Sequence, residues 1–123
     1  MNLLLDTHVL IWWDEGSRLR RDALAAIQDA AEVYVSAASA WEIAIKTALG
    51  RLRPSRTVSQ ATDESGFREL PVTFAHAAGV GTLPPVHRDP FDRLLAAQAL
   101  HEGLVLVTRD PVFGRYGVRL LRA

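Results

Sequence analysis

The hydrophobic residues of the chain follow two alternating patterns, one typical of buried strands and one typical of helices. Short, nearly continuous apolar runs predict five strands, at residues 2–6, 33–36, 70–73, 104–108 and 118–121. The first and fourth runs are almost entirely aliphatic, as expected of strands that are covered on both faces. The alternation of strands and helices therefore favours an α/β fold around a mostly parallel sheet.

Helical periods occupy the segments between these strands. Apolar positions at helical spacing predict helices at residues 18–31, 57–67 and 74–80. The last helix is predicted to have Asp89 as its cap and Pro90 as its first residue, and to end at Gly103.

One further helix is predicted to begin at Ser39 and to end near Gly50. Ser39 and Glu42 have the spacing of a capping box, which marks the first turn of a helix. A stripe of apolar positions follows at the spacing of one helix face: Trp41, Ala44, Ile45, Ala48 and Leu49. We expect this stripe, with the Trp41 ring, to face the core.

The composition limits the class of protein. A chain of 123 residues with 49% hydrophobic residues is expected to form one core, so we expect a single domain over residues 1–123. The sequence contains no cysteine, which excludes both a disulfide framework and a thiolate metal site. No apolar run approaches the roughly 20 residues that cross a bilayer, and the start of the chain lacks the features of a signal peptide. We expect a soluble, cytoplasmic protein without membrane contact.

The charge does not by itself indicate a nucleic-acid partner, because the formal net charge is zero. The basic residues are nevertheless grouped, in Arg18, Arg20 and Arg21 and again in Lys46, Arg51, Arg53 and Arg56. Such groups suit phosphate contacts, but they are equally compatible with a general preference for arginine. Both interpretations stay open.

Four acidic residues are predicted to meet at one edge of the sheet. Asp6 ends the first strand and Asp110 follows the fourth, while Glu42 and Asp92 lie near the beginnings of two helices. The carboxyl ends of parallel strands form one edge, and ligands bind there in open α/β sheets. Taken singly, Glu42, Asp92 and Asp110 have ordinary explanations as helix-start or turn residues.

Taken together, these acids indicate a cation site. Two carboxylates about 4 Å apart repel by about 4 kcal/mol at an effective dielectric constant of 20, so a cluster needs a cation or a shared proton. Oxygen ligands without cysteine favour Mg²⁺ or Mn²⁺. Such a site can polarise a phosphoryl group and activate a water for in-line attack.

Four segments of the sequence resemble the signature blocks of PIN-domain toxins of the VapC type. In chain order, the segments are LLLDTHVLIWW at 3–13, VSAASAWEIAIK at 35–46, DPFDRLLAAQA at 89–99 and LVTRD at 106–110. The resemblance covers nearly the whole chain. It implies a PIN-like α/β/α sandwich with strand order 3-2-1-4-5, and a metal-dependent endoribonuclease that acts on RNA.

The resemblance also implies roles for individual residues and partners. Asp6, Glu42 and Asp92 match the three acidic site residues of the family, with Asp6 and Asp92 as metal ligands. Asp110 matches a fourth, more variable acid, and Thr108 matches a hydroxyl that often accompanies it. The expected cofactor is Mg²⁺ or Mn²⁺. The expected partners are RNA, a second copy in a homodimer, and a VapB-like antitoxin whose C-terminal segment places Arg or Lys in the acidic pocket.

Two assignments in this site need an argument from the residues. Asp89 adds another acid next to Asp92, but as the helix cap its carboxylate should bind backbone N–H groups, which favours Asp92 as the metal ligand. Lys46 lies four residues after Glu42, a spacing that suits an ion pair within the helix. A contact from Lys46 to a substrate phosphate is equally compatible.

Other classes of protein with an acidic pocket fit less well. A receiver-type signalling module needs paired acids after the first strand, an acid after the third and a lysine after the fifth, and all three are missing. A haloacid-dehalogenase-type phosphatase needs Asp-x-Asp after the first strand, where this chain has Asp6, Thr7 and His8. A non-catalytic PIN-like binding module remains as the alternative, and the intact acids disfavour it.

Overall fold

The structure, a computed structural model, describes residues 1–86 and 88–123. Its strands are β1 (Asn2–Leu5), β2 (Glu32–Ser36), β3 (Arg68–Leu70), β4 (Val105–Thr108) and β5 (Leu120–Arg122). Its α-helices are α1 (Thr7–Glu15), α2 (Arg21–Asp29), α3 (Ala37–Ala48), α4 (Val58–Glu64), α5 (Phe74–Val80) and α6 (Pro90–Glu102). A 3-10 helix, Pro111–Tyr116, connects β4 to β5.

The five strands form one sheet in the order β3-β2-β1-β4-β5. Every adjacent pair is parallel, and the central strand β1 is hydrogen-bonded on both sides, with Leu5 opposite Val35 of β2 and Val107 of β4. The predicted order 3-2-1-4-5 is confirmed. The sheet is entirely parallel in the described residues, where the sequence analysis expected a mostly parallel one.

Helices cover both faces of this sheet, which confirms the α/β/α sandwich. Side chains alternate along β1, so Leu3 and Leu5 pack with Val9 of α1 and Ile27 of α2 on one face. Leu4 points to the opposite face, where it packs with α6 and the 3-10 helix. A strand buried on both faces needs apolar residues at successive positions, which explains the aliphatic run that opens the chain.

The first, second and fourth strands differ from their predicted bounds by one residue, and the third and fifth differ by more. The third strand was expected at residues 70–73, but β3 is Arg68–Leu70 and ends opposite Ser36, where β2 turns into α3. No strand continues beside residues 71–73, and Pro71 lacks the N–H that pairing requires. The last strand was expected at 118–121 but begins only at Leu120, after the left-handed Gly117 that ends the 3-10 helix.

The other helices follow the sequence pattern with shorter bounds. The helix expected at 18–31 is Arg21–Asp29, and the one expected at 57–67 is Val58–Glu64 with Thr57 as its cap. The helices at Phe74–Val80 and Pro90–Glu102 are confirmed, the latter with Gly103 in a left-handed conformation at its end. Helix α1 and the 3-10 helix were not among the predicted helices.

The prediction for α3 was wrong in its start and in its buried face. The helix begins at Ala37, because the hydroxyl of Ser36 accepts a hydrogen bond from the backbone N–H of Ala38, 3.0 Å away. Ser39 is therefore not the cap, and Glu42 lies in the second turn.

The apolar stripe of α3, defined as Trp41, Ala44, Ile45, Ala48 and Leu49, is exposed. The Trp41 side chain is 61% exposed, so the prediction that it lies in the core was also wrong. The inward face instead carries Ser39, Glu42 and Ile43. Polar residues occupy this face because it lies against the acidic edge of the sheet.

Within the described residues, no helix is long and apolar enough to cross a membrane.

Candidate active site

The predicted acids are gathered where β1 and β4 end and where α3 and α6 begin. Asp6 directly follows β1, and its backbone N–H donates to the carbonyl of Val107 in β4, at 3.0 Å. Asp110 lies just beyond the end of β4. Parallel strands bring these ends to one edge of the sheet, and the helices that begin beside it contribute Glu42 and Asp92.

Asp6 is the most enclosed of the strand-end acids. Its side chain is buried, and Oδ2 accepts a hydrogen bond of 2.7 Å from the hydroxyl of Thr108. Burial raises the pKa of Asp6 above its ordinary value of 3.8, although the bond from Thr108 and the charge of His8 act in the opposite direction. Keeping the ionised form of a buried carboxyl group costs free energy unless a positive charge lies nearby.

Glu42 is buried on the inward face of α3 and is paired with Lys46. The Nζ atom of Lys46 donates to Oε2 of Glu42 at 2.7 Å, one helical turn further along. Of the two interpretations of Lys46, the ion pair within the helix is therefore formed in this structure. The ammonium group lies at the edge of the acidic cluster and is partly exposed, so it remains within reach of an anion.

The carboxyl group of Asp92 carries the strongest electrostatic signal of the site. Burial and, after it, the negative charges of Asp89, Asp6, Glu42 and Asp110 together raise its pKa from 3.8 to about 7. All four neighbouring acids therefore act on one group. Such a shift is expected where several carboxylates share one partly buried site.

Asp89 caps α6, as its position before Pro90 predicts. Its Oδ1 accepts hydrogen bonds from the backbone N–H groups of Phe91 and Asp92, at 2.9 and 3.2 Å. Asp92 is the third residue of the helix, where the positive end of the helix favours a carboxylate. The capping prediction for Asp89 is confirmed, and the assignment of the metal ligand to Asp92 stays a prediction.

Asp110 and Thr108 are connected through a second hydrogen bond. The backbone N–H of Asp110 donates to Oγ1 of Thr108 at 3.1 Å, while Oδ1 of Asp110 accepts from the N–H of Val112 at 3.0 Å and caps the 3-10 helix. Asp110 is exposed. Its carboxylate thus caps the 3-10 helix, and its negative charge also contributes to the raised pKa of Asp92.

The donor set of this edge fits a hard divalent cation. The side chains are carboxylates and one hydroxyl, and the raised pKa of Asp92 shows that the negative charges act on each other. Among the described residues, however, no three of these carboxylates have oxygens that all lie within 4.8 Å of one another. Direct coordination of one ion by three of them would require these side chains to move closer together.

A second cluster does meet that distance, on the face of the sheet that α5 and α6 cover. It consists of His76, His101 and Glu102. Nδ1 of His76 accepts a hydrogen bond from the backbone N–H of Thr73, so the proton of the neutral ring lies on Nε2 and is donated to Glu102 at 2.8 Å. A metal on Nε2 would have to displace that proton. The cluster is better explained as a hydrogen-bonded connection between the two helices.

The sequence analysis did not identify the polar pair that joins α1 to α3 beside the site. The hydroxyl of Thr7 donates to Oγ of Ser39 at 2.9 Å, and both side chains are buried. Thr7 directly follows Asp6, and Ser39 lies one turn before Glu42. The available signal was a small hydroxyl residue close to each of two predicted site acids, Thr7 beside Asp6 and Ser39 three residues before Glu42.

The comparison with known protein families agrees with this geometry. The family model described as "PIN domain" matches residues 3–118. The chain belongs to the PIN-domain family. The resemblance that the four sequence segments indicated is thereby confirmed for the family.

Individual relatives of this PIN domain include "Ribonuclease VapC22" of Mycobacterium tuberculosis (strain ATCC 25618 / H37Rv). The two sequences are 36% identical over 112 residues, which cover 88% of this chain and 86% of the relative. This similarity agrees with the expected VapC type.

Two solved structures show the same fold as this PIN domain. One is the DNA-bound VapBC of Salmonella typhimurium, with a TM-score of 0.74 at 21% identity, covering 99% of this chain and 98% of the other. The second is VapBC2 of Rickettsia felis bound to a DNA fragment from its promoter, with a TM-score of 0.71 at 15% identity and the same coverage, 99% and 98%.

Proposed function

We propose that this PIN domain is a Mg²⁺- or Mn²⁺-dependent endoribonuclease that cleaves phosphodiester bonds in RNA. The observation that carries the proposal is the convergence of Asp6, Glu42, Asp89 and Asp110 on Asp92, whose pKa is raised to about 7 by burial and by these charges. A divalent cation bound among these carboxylates would offset their mutual repulsion, so the cluster favours binding of such an ion. The relative named as a ribonuclease supports RNA as the substrate.

The side chains divide into metal-holding and substrate-handling groups. Asp6 and Asp92 would hold the ion, and Thr108 keeps the Asp6 carboxylate turned toward the site. A bound divalent cation supplies a water of lowered pKa and polarises the phosphoryl oxygen. Glu42 and Asp110 lie beside these ligands, as acceptors for the proton of the attacking water. Lys46 is placed to meet a phosphate oxygen if it exchanges its partner Glu42 for the substrate.

We propose further that the protein is the toxin of a VapBC-type pair and binds a VapB-like antitoxin. The two solved structures with the same fold are complexes named VapBC, which supports a partner of the VapB type. A groove beside the site, between α1, α3 and α4, is lined by apolar side chains that include Leu10, Ile43, Leu52 and Val58. Leu10 lies one turn after Asp6, and Ile43 adjoins Glu42. A peptide in this groove could therefore place a basic side chain among the acids.

A homodimer is the third part of the proposal, and the apolar stripe of α3 is the surface that favours it. Trp41 and Leu49 are 61% and 62% exposed. The ring of Trp41 packs edge-to-face on Phe91 of α6, with the ring centroids 5.1 Å apart. An exposed apolar patch of this kind marks an interaction site more often than a solvated surface.

The nuclease proposal is tested with the purified full chain and a structured RNA. We expect cleavage that EDTA abolishes and that added Mg²⁺ or Mn²⁺ restores, and no cleavage by Asp92→Asn prepared in the same way. Binding of RNA without cleavage under all metal conditions would instead support the non-catalytic binding module. Equal cleavage by the parent and Asp92→Asn would identify a contaminating nuclease and remove the support for this site.

The toxin proposal is tested in growing cells. Expression of the chain alone should slow growth, and co-expression of its antitoxin should restore it. Harmless expression of folded protein that still cleaves RNA in vitro would contradict the toxin role and leave the nuclease proposal intact.

A further inference from the structure

A buried polar chain passes through the otherwise apolar layer between the sheet and α6. Gln98, in the middle of α6, is 0% exposed, and Ser36, at the end of β2, is 1% exposed. Leu95, Ala96 and Ala99 surround Gln98 on the helix and are buried apolar residues. Burying a primary amide in such surroundings is costly unless its hydrogen bonds are made.

The oxygen of this amide is bound to the beginning of α3. The hydroxyl of Ser36 donates to Oε1 of Gln98 at 2.5 Å. The same Ser36 oxygen accepts the backbone N–H of Ala38 at 3.0 Å, which is the capping bond that starts α3. One hydroxyl therefore joins the cap of α3 directly to the middle of α6.

The nitrogen of the amide is bound on the opposite side. Nε2 of Gln98 donates to the carbonyl of Pro71, and it also faces Nδ1 of His76, each at 3.4 Å. Pro71 directly follows β3 and His76 belongs to α5. The Gln98 side chain is thus held from two sides, between the end of β2 and the segment that follows β3.

These contacts join the two helices that carry acids of the candidate site. Ser36 lies six residues before Glu42 on the α3 side, and Gln98 lies six residues after Asp92 on α6. Glu42 and Asp92 repel each other, so their helices need a restraint that resists separation. Asp92 as a proposed metal ligand and Glu42 as a proposed proton acceptor must also be held within about 0.5 Å of their working geometry.

We propose that Gln98 is a positioning residue that sets the spacing of Glu42 and Asp92 through its hydrogen bond to Ser36. The proposal rests on the metal-dependent function proposed above for these acids. Gln98 does not touch substrate or metal, and it acts only by fixing α6 against the start of α3.

The first test replaces the amide by an apolar side chain of similar length, Gln98→Met, in the full chain. Ile27→Val is the control, because Ile27 is also buried but belongs to α2, on the opposite face of the sheet. Both changes should lower the melting temperature. Mn²⁺ binding, measured by calorimetry, should weaken about tenfold in Gln98→Met and remain unchanged in Ile27→Val.

A second readout follows the spacing of the helices without any metal. Trp41 adjoins Glu42 and packs edge-to-face on Phe91, which adjoins Asp92, with ring centroids 5.1 Å apart. The indole N–H resonance of Trp41, assigned with Trp41→Phe, reports this contact. We expect it to shift in Gln98→Met and to stay in place in Ile27→Val.

Ser36 supplies a second pair of variants in case Gln98→Met does not fold. Ser36→Thr keeps both the cap and the donor to Gln98, and should retain the parent's Mn²⁺ affinity and indole resonance. Ser36→Ala loses both bonds and should weaken Mn²⁺ binding as Gln98→Met does. Parent-like Mn²⁺ affinity and an unmoved Trp41 resonance in a folded Gln98→Met or Ser36→Ala would overturn the positioning role. A parent protein that binds no Mn²⁺ would refute the proposed metal site, and the Trp41 resonance would then still decide whether Gln98 sets the helix spacing.

Discussion

Thr108 donates a 2.7 Å hydrogen bond to the carboxylate of Asp6, although the two residues are 102 positions apart in the chain. The bond crosses from the end of β4 to the end of β1, the two central strands. It holds the Oδ2 atom of Asp6 against a fixed donor and thereby orients the carboxylate. Thr108 is therefore expected to act on the reaction through Asp6.

Replacement of this donor tests its importance. Thr108→Val keeps the shape of the side chain but removes the hydroxyl that lowers the pKa of Asp6. We expect Mg²⁺-dependent cleavage to fall by about tenfold or more, as for other partners of metal ligands. Thr108→Ser should retain most of the activity, and equal rates for the Val and Ser variants would exclude this role for the hydroxyl.

Asp6→Asn should preserve the fold and abolish RNA cleavage. Asparagine has nearly the same shape but carries no charge, so it is a poor ligand for a hard cation. The measurement is the cleavage rate with and without EDTA, alongside the circular dichroism spectrum. If the purified variant cleaved RNA at the parent's rate and EDTA still abolished the cleavage, the assignment of Asp6 to the site would be wrong.

The two acids at the start of α6 should respond differently to substitution. Asp89→Ser keeps a capping oxygen for the N–H groups of Phe91 and Asp92, so it should retain cleavage and cost less than about 1 kcal/mol of stability. Asp92→Asn should abolish cleavage, while its melting temperature in metal-free buffer stays the same or rises, because a repelling charge is removed. An inactive Asp89→Ser together with an active Asp92→Asn would show that the metal ligand is Asp89.

The raised pKa of Asp92 predicts how stability depends on pH in metal-free buffer. Between pH 4 and about 7 the folded protein holds a proton on Asp92 that the unfolded chain has already released. The free energy of unfolding that this group contributes is therefore fully present below about pH 4 and is lost as the pH rises through about 7. The raised pKa of Asp6 acts in the same direction. The melting temperature of Asp92→Asn should fall less over this range than that of the parent.

The same titration predicts a pH dependence of metal binding. As a proposed ligand of Mg²⁺, Asp92 would have to be ionised, so the rise in melting temperature on adding Mg²⁺ should be larger at pH 8 than at pH 6. Thermal unfolding at the two pH values, with and without the ion, measures the difference. A stabilisation by Mg²⁺ that is independent of pH would contradict the participation of Asp92.

The exposed stripe of α3 predicts a change in assembly. Ile45→Glu places a charge in the proposed dimer surface and should convert a dimer into a monomer, as measured by light scattering. Leu24→Glu is the matched control, because Leu24 on α2 has the same 37% exposure as Ile45 but lies outside the stripe. A parent protein that is monomeric at the concentrations tested would contradict the dimer directly.

The sequence was most informative where local interactions decide the structure. The aliphatic runs predicted both central strands, since a strand buried on two faces needs apolar residues throughout. Asp89, Pro90 and Gly103 predicted both ends of α6, because caps and helix stops act within a few residues. The strand ends and helix starts predicted that the four acids meet at one edge of the sheet, and the family that the resemblance indicated is confirmed.

Local sequence patterns could not predict which face of α3 is buried. Periodicity shows that Trp41, Ile45 and Leu49 share one side of a helix, but it does not show which side faces the sheet. In the folded protein, Ser39 and Glu42 turn inward, because the acidic edge of the sheet and the hydroxyl of Thr7 lie there. The end of β3 and the bonds from Thr108 to Asp6 and from Ser36 to Gln98 likewise depend on residues far apart in the chain. Only the packing of the strands brings those partners together, so their contacts follow from tertiary structure and not from any local pattern.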